Sequence, residues 1–209
     1  MRMLKYHKSG TETITAYDGD AFEEHNAERQ VSDTGTKADV MNTLLAMQKL
    51  NPICIERYMS RASMQRLRRS TTGTLLVIAA VDNDATRKMC IEVLDQEPGD
   101  FLFVTPGNST ADDPDAAIKG NVLWYGRIGD QAIGIRPDIL FPNIDRPQDA
   151  IPRKGSCLED AVSAPQLIPA NSLAAAYTLT VVQNFLDDRM PVEASHMFFN
   201  GRTFSTTAN

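Results

Sequence analysis

Apolar residues along this chain switch between two spacings. Residues 11–17 (TETITAY) alternate polar and apolar side chains, the period-two pattern of a strand, and Asp18-Gly19-Asp20 closes it with turn residues. From residue 36 to 50, Val40, Leu44, Leu45, Met47 and Leu50 keep a helical spacing. Asn51-Pro52 stops that helix, because proline restricts the residue before it and cannot continue the turn. Residues 52–58 then read as a second strand and residues 60–70 as a short, arginine-rich helix. Residues 74–81 (TLLVIAAV) are almost unbrokenly apolar, as expected for a parallel strand covered on both faces. Asp82-Asn83-Asp84 breaks the run, and Asp84 is placed to cap a helix reaching about Asp95. Residues 101–105 form another short apolar strand. Strands alternating with helices predict an α/β fold with a doubly wound, mainly parallel sheet and helices on both faces.

After Gly107 the pattern changes. Residues 121–128 (NVLWYGRI) and 131–135 predict a hairpin around Gly129-Asp130. Residues 136–165 hold five of the eleven prolines with little periodicity, and read as a long crossover loop. Residues 164–188 predict a long helix, small and apolar through Leu173-Ala174-Ala175-Ala176. The chain ends on a predicted hairpin over residues 197–204, where Asn200-Gly201 supplies a tight turn.

Composition narrows the function. With 209 residues the chain is expected to form one domain over its whole length. The longest uncharged apolar run, residues 75–81, is far short of the roughly 20 residues a membrane span needs. Residues 1–8 lack a signal-peptide core, so a cytoplasmic, soluble protein is expected. A net charge of -6 argues against non-specific nucleic-acid binding. Three cysteines without a C-x-x-C pair exclude a disulfide framework and a four-thiolate zinc site. Cys54 and Cys90 lie in apolar surroundings and read as buried thiols. Arg57, Arg61, Arg66, Arg68 and Arg69 make a basic strip that reads as a solvated face.

In doubly wound sheets ligands bind beyond the carboxyl ends of strands. Asp18 and Asp82 both fall there, each either a ribose or metal ligand or a loop cap. Between them Arg29, Gln30 and Lys37 offer cationic and amide groups suited to phosphate oxygens. A ribose carboxylate, two cations and a second carboxylate for Mg²⁺ together point to a nucleoside triphosphate.

These residues also fall in a recognisable order. Asp18, Asp20, Phe22, Glu23, Asn26, Arg29 and Gln30, then Gly35 and Lys37, then Asp82, Asn83 and Arg87, follow D-x-D-x-[VF]-E-x-x-N-x-x-R-Q, G-x-K and V-D-N-x-x-x-R. The pattern resembles the E1-like adenylating enzymes of the ThiF/MoeB/ubiquitin-activating superfamily, in particular the stand-alone ThiF-like proteins. Gly107-Asn108 with Gly120-Asn121-Val122, and Ser156-Cys157 followed by residues 166–174, are similar to its later segments. The resemblance implies a Rossmann-like fold, Asp18 on the ribose, Asn26, Arg29 and Lys37 on the triphosphate with Gln30 in support, and Asp82 on Mg²⁺. It implies attack on ATP by the C-terminal carboxylate of a ubiquitin-like or sulfur-carrier protein. Cys157 would be a covalent carrier of the activated acyl group, or else a small residue packing the loop. The chain departs from the superfamily in lacking its first β-α unit with the G-x-G-x-x-G loop, whose amides cradle the nucleotide. A homodimer, or a partner supplying that loop, is therefore expected, and so is the alternative of a non-catalytic interaction module on the same scaffold.

Overall fold

A computed structural model describes residues 14–20, 36–47, 52–108, 118–129, 131–152, 168–191, 194–200 and 205–208. Contacts divide the chain into two compact units. One comprises Met1–Met59 with Pro152–Ala161, the other Ser60–Ile151 with Val162–Asn209. In the first unit, β1 (Ile14–Tyr17) and β2 (Pro52–Ile55) pair in parallel, with Ile14 opposite Pro52 and Tyr17 opposite Ile55. Helix α1 (Lys37–Met47) connects them. Thr36 caps it: its hydroxyl accepts the Asp39 N–H at 3.1 Å and donates to the Asp39 carboxylate at 2.8 Å.

In the second unit, α2 (Arg61–Ser70) begins at Ser60, whose hydroxyl caps the Ser63 N–H. Strand β3 (Leu75–Ile78) runs parallel to β4 (Phe101–Asn108), and α3 (Asp84–Gln96) crosses between them. Asn83, rather than Asp84, is the N-cap: its side-chain oxygen accepts the Thr86 N–H at 2.9 Å. From β4 onward the pairing is antiparallel, through β5 (Lys119–Ile128), β6 (Gln131–Gly134), β7 (His196–Asn200) and β8 (Ser205–Ala208). The strand order is β3-β4-β5-β7-β8, with β6 also paired to β5. Antiparallel joins thus outnumber parallel ones among the described strands, and the expected mainly parallel character is confined to β1–β2 and β3–β4. The reason lies in chain length: only ten residues, 109–118, separate β4 from β5, fewer than a parallel crossover normally takes.

Helices cover both faces of β4 and β5, so the Rossmann-like α/β architecture holds in this unit. On one face Leu102, Val104, Val122 and Trp124 pack with Val181 of α6 (Ile168–Leu186). On the other, Phe101 and Phe103 meet Tyr125 edge-on, at 5.3 and 5.7 Å between centroids, and Tyr125 donates its hydroxyl to the Ile91 carbonyl of α3 at 3.3 Å. The alternation along β4 is what serves both faces at once. Close approach of backbone explains Gly126, where a Cβ would stand 2.4 Å from the Phe101 carbonyl oxygen.

Two expectations need correction here. The segment after Arg136 is not a featureless loop: it carries α4 (Pro137–Leu140) and α5 (Pro142–Asp145), each opened by a proline at its first position. The terminal hairpin pairs Asn200 with Ser205, so its second arm starts after Phe204 and the two arms are not joined by a two-residue Asn-Gly turn. Among the described residues no helix is long and apolar enough to cross a membrane.

Candidate functional site

The first unit places Asp18 directly after β1. Its N–H continues the ladder by donating to the Ile55 carbonyl at 3.2 Å, and its carboxylate accepts the Asp20 N–H at 2.9 Å. Asp18 therefore stands at the carboxyl end of a parallel strand, and its carboxylate shapes the turn that follows, as the loop-cap reading has it. Asp20 is the hub of that turn. Lys37 donates to its carboxylate at 2.7 Å, and the Tyr58 hydroxyl donates to its other oxygen. Burial pushes the Asp20 carboxyl up, but these two hydrogen bonds and the Lys37 charge outweigh it and hold the group below its ordinary value. Gly19 is needed beneath the Tyr58 ring, since a Cβ there would lie 2.7 Å from it. Lys37 sits at the first turn of α1, as the spacing implied, with its ammonium directed to Asp20.

The second unit places Asp82 in the turn between β3 and α3, exposed, with the Asn83 amide donating to its carboxylate at 3.4 Å. The turn is braced from below by Arg87. Its guanidinium pairs with Asp84 at 2.7 Å, donates to Thr105 Oγ1 at 3.1 Å and reaches the carbonyls of Val81 and Pro106. Arg87 thus ties the end of β3 to the end of β4 and holds the Asp82–Asn83 corner beyond the carboxyl end of β3. The later motif residues also converge in this unit. Gly107 pairs with Asn121 and Asn108 with Gly120, and Asn108 donates its amide to Asn171 of α6.

One exposed carboxylate at Asp82 fits an ion such as Mg²⁺ that arrives with phosphates and keeps most of its waters. Among the described residues no group of three His, Cys, Asp or Glu side chains forms a protein cage for a metal. Asn26, Arg29, Gln30 and Cys157 lie outside the described residues. Cys90 is buried, as expected, and burial pushes its thiol up to about 12. Cys54 is only half-buried; burial, then the charge of Asp39, raises its thiol.

Sequence reasoning missed three things. Tyr58 joins the Asp20–Lys37 pair from beyond β2, a contact 38 residues away that no local pattern marks. Arg87 was visible as part of V-D-N-x-x-x-R but not as the brace of the corner. Arg68 does not belong to a solvated strip: it is 4 % exposed, and its Nη2 occupies the space a Cβ on Gly99 would take. The other arginines of the strip are exposed, with Arg61 paired to Glu92 and Arg69 to Glu97. A shallow groove lined by Arg136, Asp138, Ile139, Pro142, Asp145 and Arg146 holds none of the site residues named above.

No family model matches the sequence, and no curated protein sequence does. Solved structures do resemble the fold. PaaA matches with a TM-score of 0.60 at 18% identity, over 100% of this chain and 67% of that one. MccB of E. coli matches with a TM-score of 0.55 at 14% identity, over 100% of this chain and 58% of its own. The chain therefore spans about two thirds or less of these relatives, and at such identities the likeness is one of fold. The 209 residues have a mixed, Rossmann-like α/β fold related to that of PaaA and MccB.

Proposed function

We propose that this chain is an E1-like adenylyltransferase domain, which uses ATP with Mg²⁺ to activate the C-terminal carboxylate of a ubiquitin-like or sulfur-carrier protein. The observation that carries the reading is the match to MccB, a ThiF/E1-like adenylyltransferase, over the whole of this chain. The residue order from Asp18 to Arg87 supports it independently. In this reading Asp18 accepts the ribose hydroxyls. Asn26, Arg29 and Lys37 hold the triphosphate, Gln30 supports them, and Asp82 holds Mg²⁺ through its exposed carboxylate.

A carboxylate oxygen of the substrate attacks the α-phosphorus. The new C(O)–O–P link forms as the bond from that phosphorus to the bridging oxygen breaks, and pyrophosphate leaves with the electron pair. Neither reactant needs a proton moved, so the residues chiefly align two anions and neutralise charge in the transition state. Bound Mg²⁺ supplies part of that neutralisation. In this reading Lys37 exchanges its Asp20 partner for phosphate oxygens, a swap between two anions. Cys157 would then accept the acyl group as a thioester, releasing AMP; a DTT-sensitive conjugate that persists in Cys157→Ala excludes it.

A second reading has its own observation. Lys37 is already neutralised by Asp20 at 2.7 Å, and the sequence carries no G-x-G-x-x-G loop. A non-catalytic interaction module, or a domain completed by a second copy or by a partner bearing the loop, would have these features. Calorimetry of Mg²⁺-ATP with the 209-residue chain separates the two. Binding that Asp18→Ala removes, with circular dichroism unchanged, supports the enzyme, and Arg29→Ala and Asp82→Ala should then abolish carboxylate-dependent pyrophosphate exchange. An absence of binding at millimolar ATP supports the module.

A further inference from the structure

The chain beyond α5 is fastened to α3 by two polar clasps. In the first, the Asp149 carboxylate closes the helix N-terminus: Asp84 N–H donates to Oδ2 at 2.8 Å and Ala85 N–H donates to Oδ1 at 2.7 Å. Asn83 already serves the Thr86 N–H, so Asp149, 65 residues from Asp84, completes the cap of the first turn. In the second, Lys88 donates to the Asp145 carbonyl at 2.6 Å and lies 3.7 Å from its carboxylate. Glu92 shares that ammonium at 3.9 Å.

Packing stops short of these contacts. Ile144 is 3 % exposed and anchors α5, and Pro137, which opens α4, is fully buried. From Asp145 to Ala150 every residue is exposed except Pro147, which is half-buried, and the next apolar contact is the half-buried Ile151. Charge and hydrogen bonds, not apolar burial, therefore hold residues 145–150 in place. A carboxylate on exposed helix-terminal N–H groups is a modest restraint, screened by salt.

We infer that residues 145–150 are a strap, closed by Asp149 on the N-terminus of α3 and hinged beside Ile144 where Lys88 holds Asp145, that opens when the Asp149 carboxylate lets go. Closed, it covers the two N–H groups that follow directly on Asp82 and Asn83. Open, it uncovers them. The inference stands on the contacts of Asp149 and does not depend on the adenylation reading.

Amide hydrogen exchange of the full chain, resolved by NMR, tests it without any activity assay. In Asp149→Ala the Asp84 and Ala85 amides should exchange about fivefold faster, the usual scale for losing a helix cap. The amides of residues 145, 146 and 148–150 should speed up with them (Pro147 has no N–H), while those of β4 stay as slow as in the parent. Asp149→Asn, with one acceptor oxygen and no charge, should fall between, and raised salt should move the parent in the same direction. Faster exchange at Asp84 and Ala85 with residues 145–150 unchanged would reduce Asp149 to a cap and overturn the strap. Unchanged exchange at both places in both variants would remove the clasp itself.

Discussion

At the scale of single residues, environment decides what each ionisable group does. Cys90 lies on the buried side of α3, and burial lifts its thiol from about 9.0 to about 12. A thiol whose pKa is raised on folding favours the folded state while it stays protonated. That contribution is whole below about pH 9 and is lost as pH climbs from about 9 toward about 12. Stability should accordingly decline through that window. With Ellman's reagent at pH 8 and peptide mapping, Cys54 should be labelled well ahead of Cys90; equal rates would refute the burial argument. Asp20 behaves in the opposite sense. Lys37 and Tyr58 hold its carboxyl below the ordinary value, so the turn after β1 is supported above the unfolded pKa and loosens as pH falls through the folded one. Arg68 shows what a residue count misses: its Nε and Nη1 have no hydrogen-bond partner among the described residues, and nothing in the structure explains this.

At the scale of elements, most helices and strands were legible because their signals are local. The short helix over residues 60–70 and the Gly129 turn, with its φ of 57°, each depend on neighbouring residues alone. Caps are less legible: Asp84 and Asn83 are equally good candidates by type, and only the backbone geometry selects Asn83. Strand β3 diverges more. Its sequence, LLVI, has the run expected of a strand buried on both faces, yet among the described strands it stands at the end of its sheet's order and Ile78 is 46 % exposed. A flat apolar edge with no charge or proline to blunt it is prone to pair with another strand. Ile78→Lys should therefore lower concentration-dependent association in light scattering, at little cost to the fold. A parent that elutes as one species at every concentration would contradict this.

At the scale of the whole molecule, the core of the second unit centres on β4, where Phe101, Leu102, Phe103 and Val104 are all essentially inaccessible to solvent. Helices α3 and α6 press on this one strand from opposite sides, so truncating it removes contacts from both layers. Phe103→Ala should cost about 3–5 kcal/mol, a large share of the roughly 5–15 kcal/mol of a typical domain, measurable as a drop in the urea midpoint. A change below about 1 kcal/mol would mean that the aromatic cluster with Tyr125 is not part of the cooperative core.

The α/β class, the sites of Asp18, Lys37 and Asp82 at strand and helix ends, and the order of the adenylating-enzyme pattern were all determined by the sequence, because periodicity, caps and motif spacing are properties of neighbouring residues. The tertiary structure alone decided which partners those residues meet. It set Tyr58 on Asp20, Arg87 on Thr105, Asn108 on Asn171, Asp149 on the start of α3, and β7 beside β5. Each of these joins residues distant in the chain, and their cost in chain entropy is offset only when the whole core assembles, so no local pattern records them.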